Sequence, residues 1–136
     1  MKEMSMEKNA EQGAEMKAEK QEIVLINEET IQDRIYMIRG QKVMLDFELA
    51  EIYGYTTKRF NEQVKNNIER FDEDFRFQLS KEEFENLRSK KLTSSWGGTR
   101  YCPYAFTEQG IYMLMAVLKG DLAIQQSKAL VRTLNS

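Results

Sequence analysis

Between Thr57 and Asn66 the stretch "TKRFNEQVKN" sets Lys58, Arg59 and Lys65 among Thr57, Asn61, Glu62 and Asn66. Lys and Arg neutralise phosphates, while Arg matches the guanine edge and Asn the adenine edge in the major groove. These residue types on one helix face would grip and read a duplex. A second group lies in "RSKKLTSSWGGTR", where Arg88, Lys90, Lys91 and Arg100 carry a local charge of +4 with no acid between them. Its hydroxyls and glycine amides could donate to a phosphate backbone, and Trp96 could stack on a base or wedge into a minor groove. Alternatively Trp96 plugs the core and the glycines only permit the turn.

Other chemistries start with fewer reagents. The chain has no histidine, which removes the commonest general base and every His-dependent triad. One cysteine, Cys102, allows neither an internal disulfide nor a thiolate zinc site, and it reads as a half-buried small residue. Asp72–Asp74 and Glu82–Glu83 are the acid clusters a magnesium-dependent nuclease would need. A connecting loop accounts for the first and favourable placement at a helix N-terminus for the second. The expectation is a protein that is no enzyme and holds no metal or cofactor.

Net charge is −2, unevenly spread. Residues 1–33 hold 9 acids and 4 bases; subtracting from 22 and 20 leaves 13 and 16, so residues 34–136 carry +3. For a polyanion the local patch matters more than the total. At 136 residues, 41% apolar and 31% charged, the sequence suits one globular domain plus a tail. Residues 1–22 read as an acidic tail, disordered or fitfully helical, and 23–136 as the domain. No apolar run is long enough for a membrane span or a signal peptide, which points to the cytoplasm.

The candidate residues must be held by elements. Apolar clusters at Ile23–Ile26, Ile35–Ile38 and Val43–Leu45 read as strands, and "RGQK" makes Ile35–Arg39 and Lys42–Leu45 a hairpin. Asp46 would cap a short helix ended by Gly54, and Thr56 or Thr57 the next, with Phe60, Val64 and Ile68 as one buried stripe. Ala50, Gly54 and Phe60 supply the small residue, the turn and the anchor of a helix-turn-helix. "FRFQL" alternates like a strand, and Ser80 with Glu83 forms a capping box. "YAFT" is a further short strand, Thr107 a cap, "EQGIYMLMAVLKG" a deeply buried helix ended by Gly120. "DLAIQQSKALVRTLNS" is an amphipathic helix on Leu122, Ile124, Ala129, Leu130 and Leu134. The fold class is α+β: small antiparallel strand pairs packed with about five helices, including a helix-turn-helix-like unit.

"IRGQKVMLDFELAEIYG", "KRFNEQVKNNIERFDEDFRFQLSKEEFENLRS" and "TSSWGGTRYCPYAFTEQGIYML" together resemble the phage ORF-six N-terminal domain family, a relative of the KilA-N and Bro-N DNA-binding domains. The resemblance covers roughly Ile35 to Val131. It implies a small α+β DNA-binding module of phage or prophage regulatory, antirepressor-type proteins, with no enzymatic activity and no residue-level site to transfer.

The sequence thus predicts a DNA-binding regulatory domain whose partner is double-stranded DNA. The candidate contacts are Thr57, Lys58, Arg59, Asn61, Lys65, Asn66, Arg88, Lys90, Lys91, Trp96 and Arg100. The rival is a protein-interaction module that binds a repressor or other partner without touching DNA. A homodimer would double a small interface.

Overall fold

A computed structural model describes residues 27–90 and 101–136. The tail over 1–22, the cluster at Ile23–Ile26, and Lys91, Trp96 and Arg100 of the basic segment lie outside the described residues.

Helix α1 (Glu28–Gln32) starts at Asn27, whose Oδ1 accepts from the Thr30 amide at 2.8 Å. Strands β1 (Tyr36–Ile38) and β2 (Gln41–Leu45) form the expected hairpin, Tyr36 opposite Val43. β2 passes without a loop into α2 (Asp46–Tyr53). Gly54 then turns the chain with φ 79°, a left-handed conformation in which a Cβ would be strained. Thr56 opens α3 (Thr57–Lys65), its hydroxyl accepting from the Arg59 amide at 3.1 Å. A short 3-10 turn (Ile68–Arg70) leads to β3 (Arg76–Gln78). The capping box on α4 (Lys81–Lys90) is complete: Glu83 N donates to Ser80 Oγ at 3.1 Å, and Ser80 N to Glu83 Oε1 at 2.8 Å. β4 (Tyr104–Phe106), α5 (Glu108–Leu118) and α6 (Gly120–Leu134) follow, with Thr107 capping α5.

The strands make one antiparallel sheet in the order β1-β2-β4-β3. With six α-helices among the described residues, the α+β expectation holds. Alternation along the strands gives the sheet two buried faces. Met44 and Phe106 join Leu49, Phe60, Ile111 and Leu130 of the helices in the larger core. Val43, Leu45, Phe77 and Ala105 face the other way, where Leu79 and, from α4, Phe84 cover them. Phe106 is the hub of the first core, meeting the rings of Phe60 at 5.6 Å and Phe71 at 5.9 Å edge on. Truncating such a ring removes about 3–5 kcal/mol.

Several expectations need correction. Leu45, not Asp46, sits at the cap position of α2; Asp46 is the first helical residue and is fully buried. The apolar stripe of α3 stops at Val64, because the helix ends at Lys65 and Ile68 falls on the following turn, 47% exposed. Helix α5 is buried on one side only, through Gly110, Ile111, Leu114 and Leu118, while Tyr112 is 54% exposed. Lys119, at φ 56°, breaks the chain between α5 and α6, and Gly120 begins α6 rather than ending α5. On α6 Ile124 faces solvent, whereas Gln126 and Ser127 are buried. Gln126 Nε2 donates to Ile52 O at 3.0 Å and Ser127 Oγ lies 2.6 Å from Tyr53 Oη, so α6 holds the last turn of α2 before Gly54.

Candidate nucleic-acid interface

Helix α3 owes its exposed face to what it hides. Phe60 and Val64, four residues apart, are completely buried, which turns Lys58, Arg59, Glu62, Lys65 and Asn66 outward. Thr57 is half-buried at the helix start. The Phe60 ring stacks on Tyr53 of α2 at 6.3 Å, and Tyr55 N donates to Ala50 O at 2.8 Å across the Gly54 turn. Lys58, Arg59 and Lys65 form no ion pair with any described residue, whereas Arg34 and Arg39 are committed to Glu48 and Glu51 and to Glu83. The cations of α3 are thus uncommitted among the described residues.

Asn61 has a different job from the one its sequence position suggests. Its Nδ2 donates to Asp46 Oδ2 at 3.1 Å, so it is spent on the protein's own interior. The same oxygen accepts from Tyr101 Oη at 3.1 Å, and Asp46 Oδ1 accepts from Phe47 N at 2.7 Å. The Tyr104 backbone also lies near enough to favour the charged form of this carboxylate. Burial pushes the Asp46 pKa up, opposed by these donors. Burial, and then the charge of Asp46, push the Tyr101 hydroxyl up, so it stays a donor. One buried carboxylate therefore ties together the start of α2, α3 and the residue that follows the basic segment.

The two basic groups are mounted differently. Helix α4 packs through Phe84 on the opposite sheet face from the core that holds Phe60 and Val64 of α3. Arg88 lies 5.4 Å over the Phe84 ring and Lys90 is exposed at the end of α4. The structure does not bring Arg88 and Lys90 together with α3; the link between the two regions is Tyr101 on Asp46.

Sequence reasoning missed Arg76. It reads as the solvent-facing member of the alternation in "FRFQL", yet it is half-buried, with its guanidinium carbon 3.7 Å from the centre of the Tyr104 ring. Strand register explains the meeting: Arg76 opposes Phe106 and Gln78 opposes Tyr104 on neighbouring strands, so Arg76 and Tyr104 are diagonal partners on one sheet face. Nothing local in the sequence signals this pairing. Arg39 was also read only as part of the hairpin. It adopts φ 55°, lies 4.2 Å over the Phe77 ring and donates to Glu83 at 2.9 and 3.1 Å, clamping the hairpin tip to α4.

Compared with known proteins, residues 33–117 match the family model of the ORF6N domain, well over half of the chain but short of α6 and of the expected limit near Val131. No curated protein and no solved structure matches.

Proposed function

Because the chain belongs to the phage-associated ORF6N domain family, we propose that it is a DNA-binding regulatory domain whose α2, Gly54 turn and α3 act as a helix-turn-helix. The single observation that supports this most is the exposed face of α3, where Lys58, Arg59 and Lys65 have no counter-ion among the described residues. A helix seated firmly on its neighbour, with unpaired cations outward, is what the major groove and its flanking phosphates accommodate. In this reading Arg59 is the candidate for base-edge contact, Lys58, Lys65 and Asn66 hold phosphates, and Thr57 donates its hydroxyl at the helix start. Asn61 drops out as a reader and becomes the residue that sets the helix. Lys90, with Lys91 and Arg100 of the basic segment, would add phosphate contacts, and no catalytic step is assigned to any of them.

A salt-titrated duplex-binding assay tests the reading. Affinity that falls steeply with salt, and falls less steeply in Arg59→Ala and Lys65→Ala, supports it. Salt-independent or absent binding argues against it. A protein partner such as a repressor is the second reading, favoured by Tyr112, an exposed aromatic ring in the middle of α5. Pull-down of a repressor that is lost in Tyr112→Glu, with no duplex affinity in the parent, would select that alternative.

A further inference from the structure

Arg76 is a half-buried cation without an anion. It forms no ion pair with any described residue, and its buried Nε has no hydrogen-bond acceptor. Arginine keeps its charge in nearly any setting, so burying one without a partner is unfavourable unless something else supplies the negative charge. Asp46 is near enough to be felt electrostatically but does not pair with it. The reason is local: the Asp46 oxygens already accept from Phe47 N, Asn61 Nδ2 and Tyr101 Oη. The Tyr104 ring meanwhile fixes the guanidinium from one side, reducing the ordering that a bound ligand would otherwise have to impose.

From these contacts we infer that Arg76, seated over Tyr104, is a built-in receptor for one phosphate of the nucleic-acid backbone. This rests on the DNA-binding reading above and extends it to a strand residue outside α3. Its position relative to α3 follows from Asp46: Asn61 of α3 donates to that carboxylate, the Tyr104 backbone lies near it, and Arg76 lies on the Tyr104 ring. A planar guanidinium suits a phosphate better than an ammonium would.

The test uses the full chain and the variants Arg76→Gln and Arg76→Lys. Inorganic phosphate at constant ionic strength should raise the melting temperature of the parent, raise that of Arg76→Lys less, and leave that of Arg76→Gln unmoved. In duplex binding Arg76→Gln should weaken affinity by about tenfold and lower the salt slope by about one. Its melting temperature without phosphate should equal or exceed that of the parent, since an unpaired charge has left a half-buried site; a marked fall would mean that Arg76 is structural, against the inference. Equal duplex affinity and slope in parent and Arg76→Gln would overturn the inference while leaving α3 as the interface. Phosphate stabilisation that depends on Arg76, with no duplex binding by the parent, would keep the anion receptor and remove its nucleic-acid assignment. Failure of Arg76→Gln to fold would count as that marked fall, against the inference.

Discussion

Asn61 and Tyr101 donate to the same oxygen of Asp46, each at 3.1 Å, although one belongs to α3 and the other stands just before β4. The acceptor is completely buried, so both groups are held by an interaction that water does not compete for. The setting of α3 on the sheet, and the position of Tyr101, are thereby fixed by one side chain at the junction of β2 and α2.

Asp46→Ala should unfold more readily than any surface substitution. It strands the donors of Asn61, Tyr101 and Phe47, and groups left unsatisfied in a buried site cost about 1–3 kcal/mol each, with non-additive sums. A loss on the order of 3 kcal/mol in urea unfolding is expected. Stability within a few tenths of the parent would mean that the cluster is not what holds α3.

Two carboxylates should make opposite contributions to the acid limb of stability. The bonds from Arg39, and then from the Ser80 amide, hold Glu83 down to about 2 against 4.5 when unfolded. Its contribution is therefore present above pH 4.5 and lost as pH falls towards 2. Asp46 is shifted upward by burial from 3.8, so its contribution is greatest in acid and declines as pH rises from 3.8 through its folded pKa. Urea midpoints measured from pH 2 to 7 should show Glu83→Gln flattening the acid fall and Asp46→Asn removing the opposing decline. An unchanged acid limb in Glu83→Gln would contradict the clamp formed by Arg39.

Which features were legible in the sequence depends on how far apart the partners lie. The box of Ser80 and Glu83, the Thr56 and Thr107 caps, and the Gly54 turn involve residues within a few positions, so residue type and spacing identify them directly. The hairpin of β1 and β2 was legible for the same reason, though not its register. Asp46 was misassigned because its acidity suits a cap, whereas its actual partners, Asn61 and Tyr101, come from distant positions. Arg76 was overlooked because alternation assigns it to an outer face but cannot reveal Tyr104 on a neighbouring strand. Ile124 and Tyr112 show the complementary error: apolar type and helical period predict a buried face, but only packing decides which apolar residues fit inside it.

Gly110 offers a test of how closely α5 approaches β3. A Cβ at this position would collide with the backbone carbonyl oxygen of Phe75, and the Phe106 ring stands 3.3 Å away on another side. Backbone cannot yield as a flexible side chain can, so helix propensity, which favours alanine, loses to overpacking. Gly110→Ala should lower stability by about 1–3 kcal/mol or more. Stabilisation by the substitution would show that the helix has room to move off the strand.

Affinity and stability should separate cleanly along α3. Arg59 and Lys65 are exposed and touch no counter-ion among the described residues, so Arg59→Ala and Lys65→Ala should leave the melting temperature almost unchanged. Each should weaken duplex binding roughly fivefold to tenfold, and Lys65→Ala should reduce the salt slope by about one. Arg59→Ala should in addition narrow the preference between duplex sequences, because an arginine at a base edge discriminates where a phosphate contact does not. Asn61→Ala should do the reverse: it removes a donor from buried Asp46, lowering stability first and affinity only as a consequence. Melting curves and duplex titrations on the three variants decide the matter. A destabilised Arg59→Ala with normal affinity, beside a stable Asn61→Ala that no longer binds, would reverse these assignments and make Asn61 the reader.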